Sequence, residues 1–205
     1  MQYFWTLQEK VPFGIGFSLY GREHLLFLCG IVLTIVLFAL CYRKMSSKAR
    51  RRTIQIFAWV MVVLEISKTS ILLYTGQYRW NYLPLDLCGL SVYLELVSAY
   101  CRKPLLLECL YSLSLPGACL ALLFPNWNKL PICNFFCLHS FLVHGILMLI
   151  PILLLSSGEL RLQLRRLPFC FGCVLFLCVP LWWINQRLGT NFFFLARASK
   201  GSPLV

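Results

Sequence analysis

Cys88 stands in the run Leu83-Pro84-Leu85-Asp86-Leu87-Cys88-Gly89-Leu90-Ser91, and His139 and His144 form a His-x4-His pair in a second apolar stretch. A cysteine attacks only as its thiolate, and an imidazole within hydrogen-bond reach is a natural group to take the thiol proton. Asp86 precedes the thiol by two residues, close enough in sequence to orient such a ring, and Ser91 follows it by one helical turn. A developing oxyanion would need a donor, for which Asn191, Ser91 and a backbone N–H near Gly89 are the candidates. His24 and Glu65 complete the polar groups that lie at or inside apolar stretches and so call for partners. Taken together, a thiol and imidazoles meeting inside a bilayer suggest chemistry on lipids.

These side chains must be positioned by membrane helices. The chain has 205 residues, of which 60% are hydrophobic and 13% charged. Its mean hydropathy is +0.76, more apolar surface than a water-soluble domain of this size hides in one core. Stretches near the ~20 residues needed to cross hydrocarbon run over 24–42, 54–74, 83–100, 104–124, 132–155 and 167–184. The expectation is an all-α, polytopic membrane helix bundle with six spans, forming a single integral membrane domain over residues 1–205. The first span does not read as a cleavable signal peptide, because Glu23 and His24 stand where a basic segment belongs. Counted from the span ends at 1.5 Å per residue, Cys88 and His139 differ in depth by about 3 Å. His139 and His144 are about 140° apart around a helix, so one faces the site and the other supports it. Pro180 and the Gly189-Thr190-Asn191 turn mark the end of the last span.

A net charge of +12 would suggest nucleic acid in a soluble protein, but the charges here sort by loop. Arg43, Lys44, Lys48, Arg50, Arg51 and Arg52 lie between the first two spans, Arg102 and Lys103 between the third and fourth, and Arg161, Arg165 and Arg166 between the fifth and sixth. The opposite connections carry Arg79 and Lys129. The positive-inside bias then puts the basic loops in the cytoplasm, beside anionic headgroups, and the N-terminus outside or in a lumen. Nucleic acid is not an expected partner.

The 11 cysteines do not read as a disulfide scaffold, since Cys29, Cys41, Cys109, Cys119 and Cys178 fall inside apolar spans where a thiol is a small hydrophobe. Cys170-x2-Cys173 and Cys133-x3-Cys137 lack a second ligand pair nearby. Glu65 and Lys68, one turn apart, read as a mutually neutralising pair, and Glu95 and Glu108 as partners of Arg102 or Lys103 near the interface. Two other chemistries use the same polar residues. A zinc-dependent lipid hydrolase would hold its metal on His24, His139 and His144 with Asp86, although the His-x4-His spacing suits one ion poorly. A non-enzymatic transporter would line a path with Glu65, Lys68, Asp86 and Glu95.

The chain resembles the YwaF family of bacterial integral membrane proteins, which are related to the eukaryotic transmembrane-protein-164 acyltransferases. The resemblance is carried by His24-Leu25-Leu26, Leu64-Glu65-Ile66-Ser67, the Leu-Pro-Leu-x-Leu-Cys-x-x-Ser run ending at Ser91, Pro116-Gly117-Ala118, Ala121-Leu122-Leu123-x-Pro125, Phe135-Phe136 with His139-x4-His144, and the segment from Thr190 to Leu195. It implies a cysteine-dependent transacylase that moves a fatty acyl chain from a phospholipid to a lysophospholipid through a thioester and needs no cofactor. Cys88 would be the nucleophile and His139 or His144 the general base. It points to the bacterial plasma membrane ahead of the endoplasmic reticulum. Asp86 stands where the pattern has Gln or His, and Pro116 where it has Gly. The tail after Leu195 lacks the Pro and the final apolar span of the pattern, so the expected bundle is a seven-helix one without its last helix.

Overall fold

A computed structural model describes residues 2–197; the tail beyond Arg197, on which the expectation of a missing last helix partly rests, lies outside the described residues. Seven α-helices follow in order: α1 Arg22–Lys44, α2 Ser47–Tyr74, α3 Leu87–Tyr100, α4 Pro104–Cys109, α5 Leu115–Leu123, α6 Phe135–Ser156 and α7 Leu167–Leu188. A π-helical segment, Leu110–Ser114, joins α4 to α5 into one continuous rod, and short 3-10 turns flank several helices. Among the described residues there is no strand. Among the described residues six segments are long and apolar enough to cross a membrane: Arg22–Lys44, Ser47–Tyr74, Trp80–Tyr100, Pro104–Leu123, Phe135–Ser156 and Leu164–Leu188. The protein is therefore an all-helical, multi-pass integral membrane protein, as its composition requires: in hydrocarbon only a helix or a closed barrel satisfies its own backbone.

The most buried helix is α6, with α1, α2, α3, α5 and the π segment packed around it. Val143, Ile146, Leu147, Ile150, Leu153 and Leu154 of α6 form the centre of the larger core, together with Tyr42, Ile54, Ala58, Met61, Val92 and Leu110. The opposite faces of α1, α2 and α7 leave Leu26, Leu33, Ile56, Val63, Leu175 and Phe176 exposed, which is the expected state of side chains that face lipid. α7 sits at the edge, against α4 and the π segment.

Two irregularities depart from the sequence expectation. The third crossing starts as a 3-10 turn, Trp80–Tyr82, and a non-helical stretch, and α3 proper begins only at Leu87. Pro84 explains this, since proline offers no N–H and biases the residue before it away from helix. The fourth crossing widens to a π turn just before Pro116. The N–H of Leu115 goes to the carbonyl of Leu110, one residue further back than in an α-helix, which makes room for the proline ring. Pro180, by contrast, does not end the last crossing: α7 runs through it to Leu188 and stops at Gly189, whose φ of +65° is the left-handed conformation of a helix C-cap.

Both ends of the bundle are tied by polar groups. At the basic end Glu159 receives Arg50 (3.3 Å) and Arg102, and Tyr42 donates to it at 3.4 Å, joining three loops through one carboxylate. Glu108 accepts the N–H of Gln163 at 3.1 Å and lies 3.9 Å from Arg166, so its partners come from the loop before α7 and not from Arg102 or Lys103. Glu95 meets neither of those cations. At the other end the fully buried Asn134 caps α6: its Oδ1 accepts the N–H groups of Phe136 and Cys137, while its Nδ2 donates to the carbonyls of Tyr3 (2.6 Å) and Thr6 (2.8 Å). Four hydrogen bonds at one buried amide make Asn134 the anchor of the N-terminal segment. Asn134→Ala should lower stability by about 2–4 kcal/mol, because it removes a cap and leaves two carbonyls unpaired. A thermal unfolding scan in detergent that shows no loss for this variant would refute the assignment.

Candidate functional site

The start of α3 is built by three neighbouring residues. Asp86 is its N-cap, and Oδ1 accepts the N–H of Gly89 at 2.6 Å. Gly89 is demanded by close approach: a Cβ there would lie 2.7 Å from Cα and C of Pro84, backbone atoms that have no side-chain freedom to give way. Cys88 is thus the second residue of a helix that begins inside the bundle, not a residue well inside an unbroken span. Among the described residues the N–H groups of Leu87 and Cys88 have no acceptor, since the cap takes Gly89 and the Asp86 carbonyl takes Leu90. Two N–H groups without an acceptor and the positive end of the helix dipole therefore lie at the helix start that carries Cys88, a position suited to an oxyanion.

Histidines enter from α6, which packs on both α2 and α3. His139 is buried, with Nε2 3.2 Å from the Leu64 carbonyl and 3.6 Å from Oε1 of Glu65. A carbonyl only accepts, so Nε2 carries the proton and donates. Glu65 is in turn held by Lys68 at 2.5 Å, the neutralising pair expected from their spacing. His144 uses its other nitrogen: Nδ1 donates to the Ser140 carbonyl one turn back at 2.7 Å. Its Nε2 then carries the lone pair, and no partner for it exists among the described residues. The ring stacks on Trp127 at 5.1 Å and 19°, so its plane is set from a loop as well as from its own helix.

Cys88 and His144 share their acidic neighbours. Asp86 and Glu65 both lie within electrostatic reach of the thiol and of the His144 ring, and Lys68 and His144 within reach of His139. These candidate residues come from α2, the start of α3 and α6, three helices that pack on one another. A surface hollow of about 600 Å³ along α2 from Arg52 to Leu64 does not have Cys88 or either of these histidines in its lining.

Three residues expected at the site have other partners. His24 is fully buried; Nδ1 accepts the N–H of Tyr20 at 3.0 Å, so Nε2 donates to the Leu122 carbonyl at 2.8 Å, and the ring joins α1 to α5. With both nitrogens engaged, His24 has no lone pair for a metal, and among the described residues no three His, Cys, Asp or Glu side chains gather as a ligand set. Ser91 Oγ donates within its own helix to the Leu87 carbonyl at 2.8 Å. Asn191 folds its loop, accepting from Ala196 and Arg197 N–H and donating to the Arg197 carbonyl.

A family model for the TMEM164 family matches residues 19–205, nearly the whole chain. The chain belongs to the TMEM164 family. No curated protein and no solved structure matches it. In this TMEM164-family chain the sequence named Glu65 as a supporting residue paired with Lys68, and the packing of α2 on α6 also brings it beside His139. Sequence reasoning missed Trp127, buried under His144 with its Nε1–H unpartnered among the described residues; its signal was an aromatic residue in the polar loop Pro125-Asn126-Trp127-Asn128. Gly89→Ala should displace the start of α3 at a cost of about 1–3 kcal/mol. Its melting temperature should fall, and the rate of Cys88 alkylation by a maleimide should change; a variant with both unaltered would show that the Pro84 contact does not set the thiol's position.

Proposed function

We propose that this protein transfers a fatty acyl chain from a phospholipid to a lysophospholipid through a thioester on Cys88. The observation that supports the reading is a thiol at a helix start with two N–H groups lacking acceptors, on a helix packed against α6, whose His144 shares Asp86 and Glu65 with it as neighbours and keeps Nε2 without a hydrogen bond among the described residues. His144 Nε2 takes the thiol proton, and Sγ attacks the ester carbonyl of the donor lipid. The oxyanion is held by the N–H groups of Leu87 and Cys88. The carbon–oxygen bond breaks, the departing lysolipid oxygen receives the proton from His144, and the acyl group remains on sulfur. A second lysolipid hydroxyl then gives its proton to His144, attacks the thioester and restores the thiol.

In this scheme His139 positions rather than reacts, since its Nε2–H is committed to Leu64 and faces Glu65. The basic loops, by the positive-inside bias, face the cytoplasm, which places Cys88 toward the opposite leaflet and the N-terminus outside or in a lumen. Donor and acceptor would reach the thiol from the membrane itself.

The test is intact mass of the purified protein after incubation with mixed phospholipids, beside Cys88→Ala, His144→Ala and His139→Ala. Wild type should gain a hydroxylamine-labile acyl mass, Cys88→Ala should gain none, and His144→Ala should acylate about 10²–10⁴-fold more slowly. His139→Ala should be impaired less than His144→Ala. Acylation that persists without Cys88, or lipid turnover without any adduct, would overturn the thioester route.

A further inference from the structure

Cys88, Ser91, Glu95 and Ser98 follow one another at intervals of three, four and three residues, which places them along a single face of α3. That face is turned inward: Ser91 is 3% exposed, Ser98 2% and Glu95 0%. Halfway along it, Glu95 has no partner at either carboxylate oxygen among the described residues, and Ser98 Oγ has none. The π segment packs against α3 and adds a third orphan, the 1%-exposed Ser114 Oγ. Nearer the basic end, Arg102 pairs with Glu159 through one nitrogen while its Nε and Nη2 have no partner among the described residues, and Glu108 takes Gln163 and Arg166.

A carboxylate with no counter-charge in hydrocarbon is one of the costliest groups a membrane protein can carry, and it persists where it binds or carries something. The backbone beside it supplies further oxygen. The N–H of Leu115 is spent on Leu110, and Pro116 has none, so the Tyr111 carbonyl loses both its α-helical and its π-helical donor. A carboxylate, serine hydroxyls and a carbonyl freed by helix distortion make a hard, all-oxygen donor set of net charge −1. Broken membrane helices use such a set to hold a monovalent cation.

We propose that Glu95, Ser98 and Ser114, with the π turn that precedes Pro116, form a buried site for a sodium-sized monovalent cation between α3 and the fourth crossing. The cation neutralises Glu95 and clamps the lower half of α3 to the π segment. Because Cys88 begins the same helix, occupancy would stiffen the element that carries the thiol, but the site is separate from it and binds whether or not Cys88 reacts.

The test is thermal unfolding of the purified full chain in detergent, in sodium, potassium or choline chloride at equal ionic strength. For wild type, sodium should raise the melting temperature saturably, by about 5 °C at concentrations far above Kd, and choline should not. Glu95→Gln should lose the sodium dependence, and Ser114→Ala should raise the concentration needed for half the shift several-fold. Equal melting temperatures of wild type in all three salts, or a sodium shift retained by Glu95→Gln, would overturn the proposal. If instead Glu95→Gln is as stable as wild type with no salt specificity in either, Glu95 is a neutral, protonated carboxyl and the cation site does not exist. Should Glu95→Gln fail to fold, equilibrium binding of radiolabelled sodium to wild type and to Ser114→Ala decides: saturable binding weakened by the serine change supports the site, and no binding refutes it. Cys88→Ala should bind sodium as wild type does, so loss of acyl transfer and loss of the cation site are read separately.

Discussion

The hydrogen bond from Gly89 N–H to Asp86 Oδ1, 2.6 Å long, is the contact on which the arrangement around Cys88 depends. A helix that begins inside a membrane bundle must satisfy its first N–H groups without water, and each one left alone is costly. Asp86 caps one of them, Pro84 packs against Gly89, and the N–H groups of Leu87 and Cys88 remain without an acceptor among the described residues. The same device that makes a short third helix tolerable therefore also leaves two N–H groups at the residues that begin it. A continuous helix through Leu83 would have placed Cys88 among ordinary buried thiols, its N–H bonded to a carbonyl one turn back.

α6 supplies the reference frame for everything else. It is held at its start by Asn134, which binds the N-terminal segment with four hydrogen bonds, and its lower half is packed on most sides by apolar residues. On this rigid rod the two histidines play different parts, for a reason that lies in what each nitrogen meets. His139 gives Nε2–H to α2 and leans on Glu65, so it couples two helices. His144 returns Nδ1–H to its own helix and keeps Nε2 free. The stacked Trp127 holds that ring in place from the loop before α6, which is why a residue far from either helical motif belongs to the site.

Polar groups elsewhere divide between fastening and unspent capacity. Glu159 gathers Arg50, Arg102 and Tyr42 and locks the basic loops together, at an interface where such pairs keep part of their hydration. His24 locks α1 to α5 with both nitrogens. Glu95, Ser98 and Ser114 fasten nothing among the described residues; the first two lie on α3, and Ser114 lies in the π turn that packs against it. Distortion of a membrane helix beside orphaned polar side chains is what a bound ion would reconcile.

Much of this protein was legible from the chain alone. Hydropathy and the loop charges determined six crossings and a basic end, because the bilayer imposes length on every apolar segment and leaves few alternatives. The Leu-Pro-Leu-x-Leu-Cys run and the His-x4-His pair determined which residues deserved notice, and the residue interval between Glu65 and Lys68 determined their pairing. What the sequence could not decide was which nitrogen of which histidine is free, that His24, Ser91 and Asn191 already have partners, and that Glu65 stands beside His139 as well as Lys68. Those outcomes turn on contacts between helices distant in sequence and on hydrogen-bond accounting at single atoms, which periodicity does not encode. Tertiary structure decided them because a polar atom buried in hydrocarbon takes whatever partner the packing brings within about 3 Å, and only the assembled bundle says which partner that is.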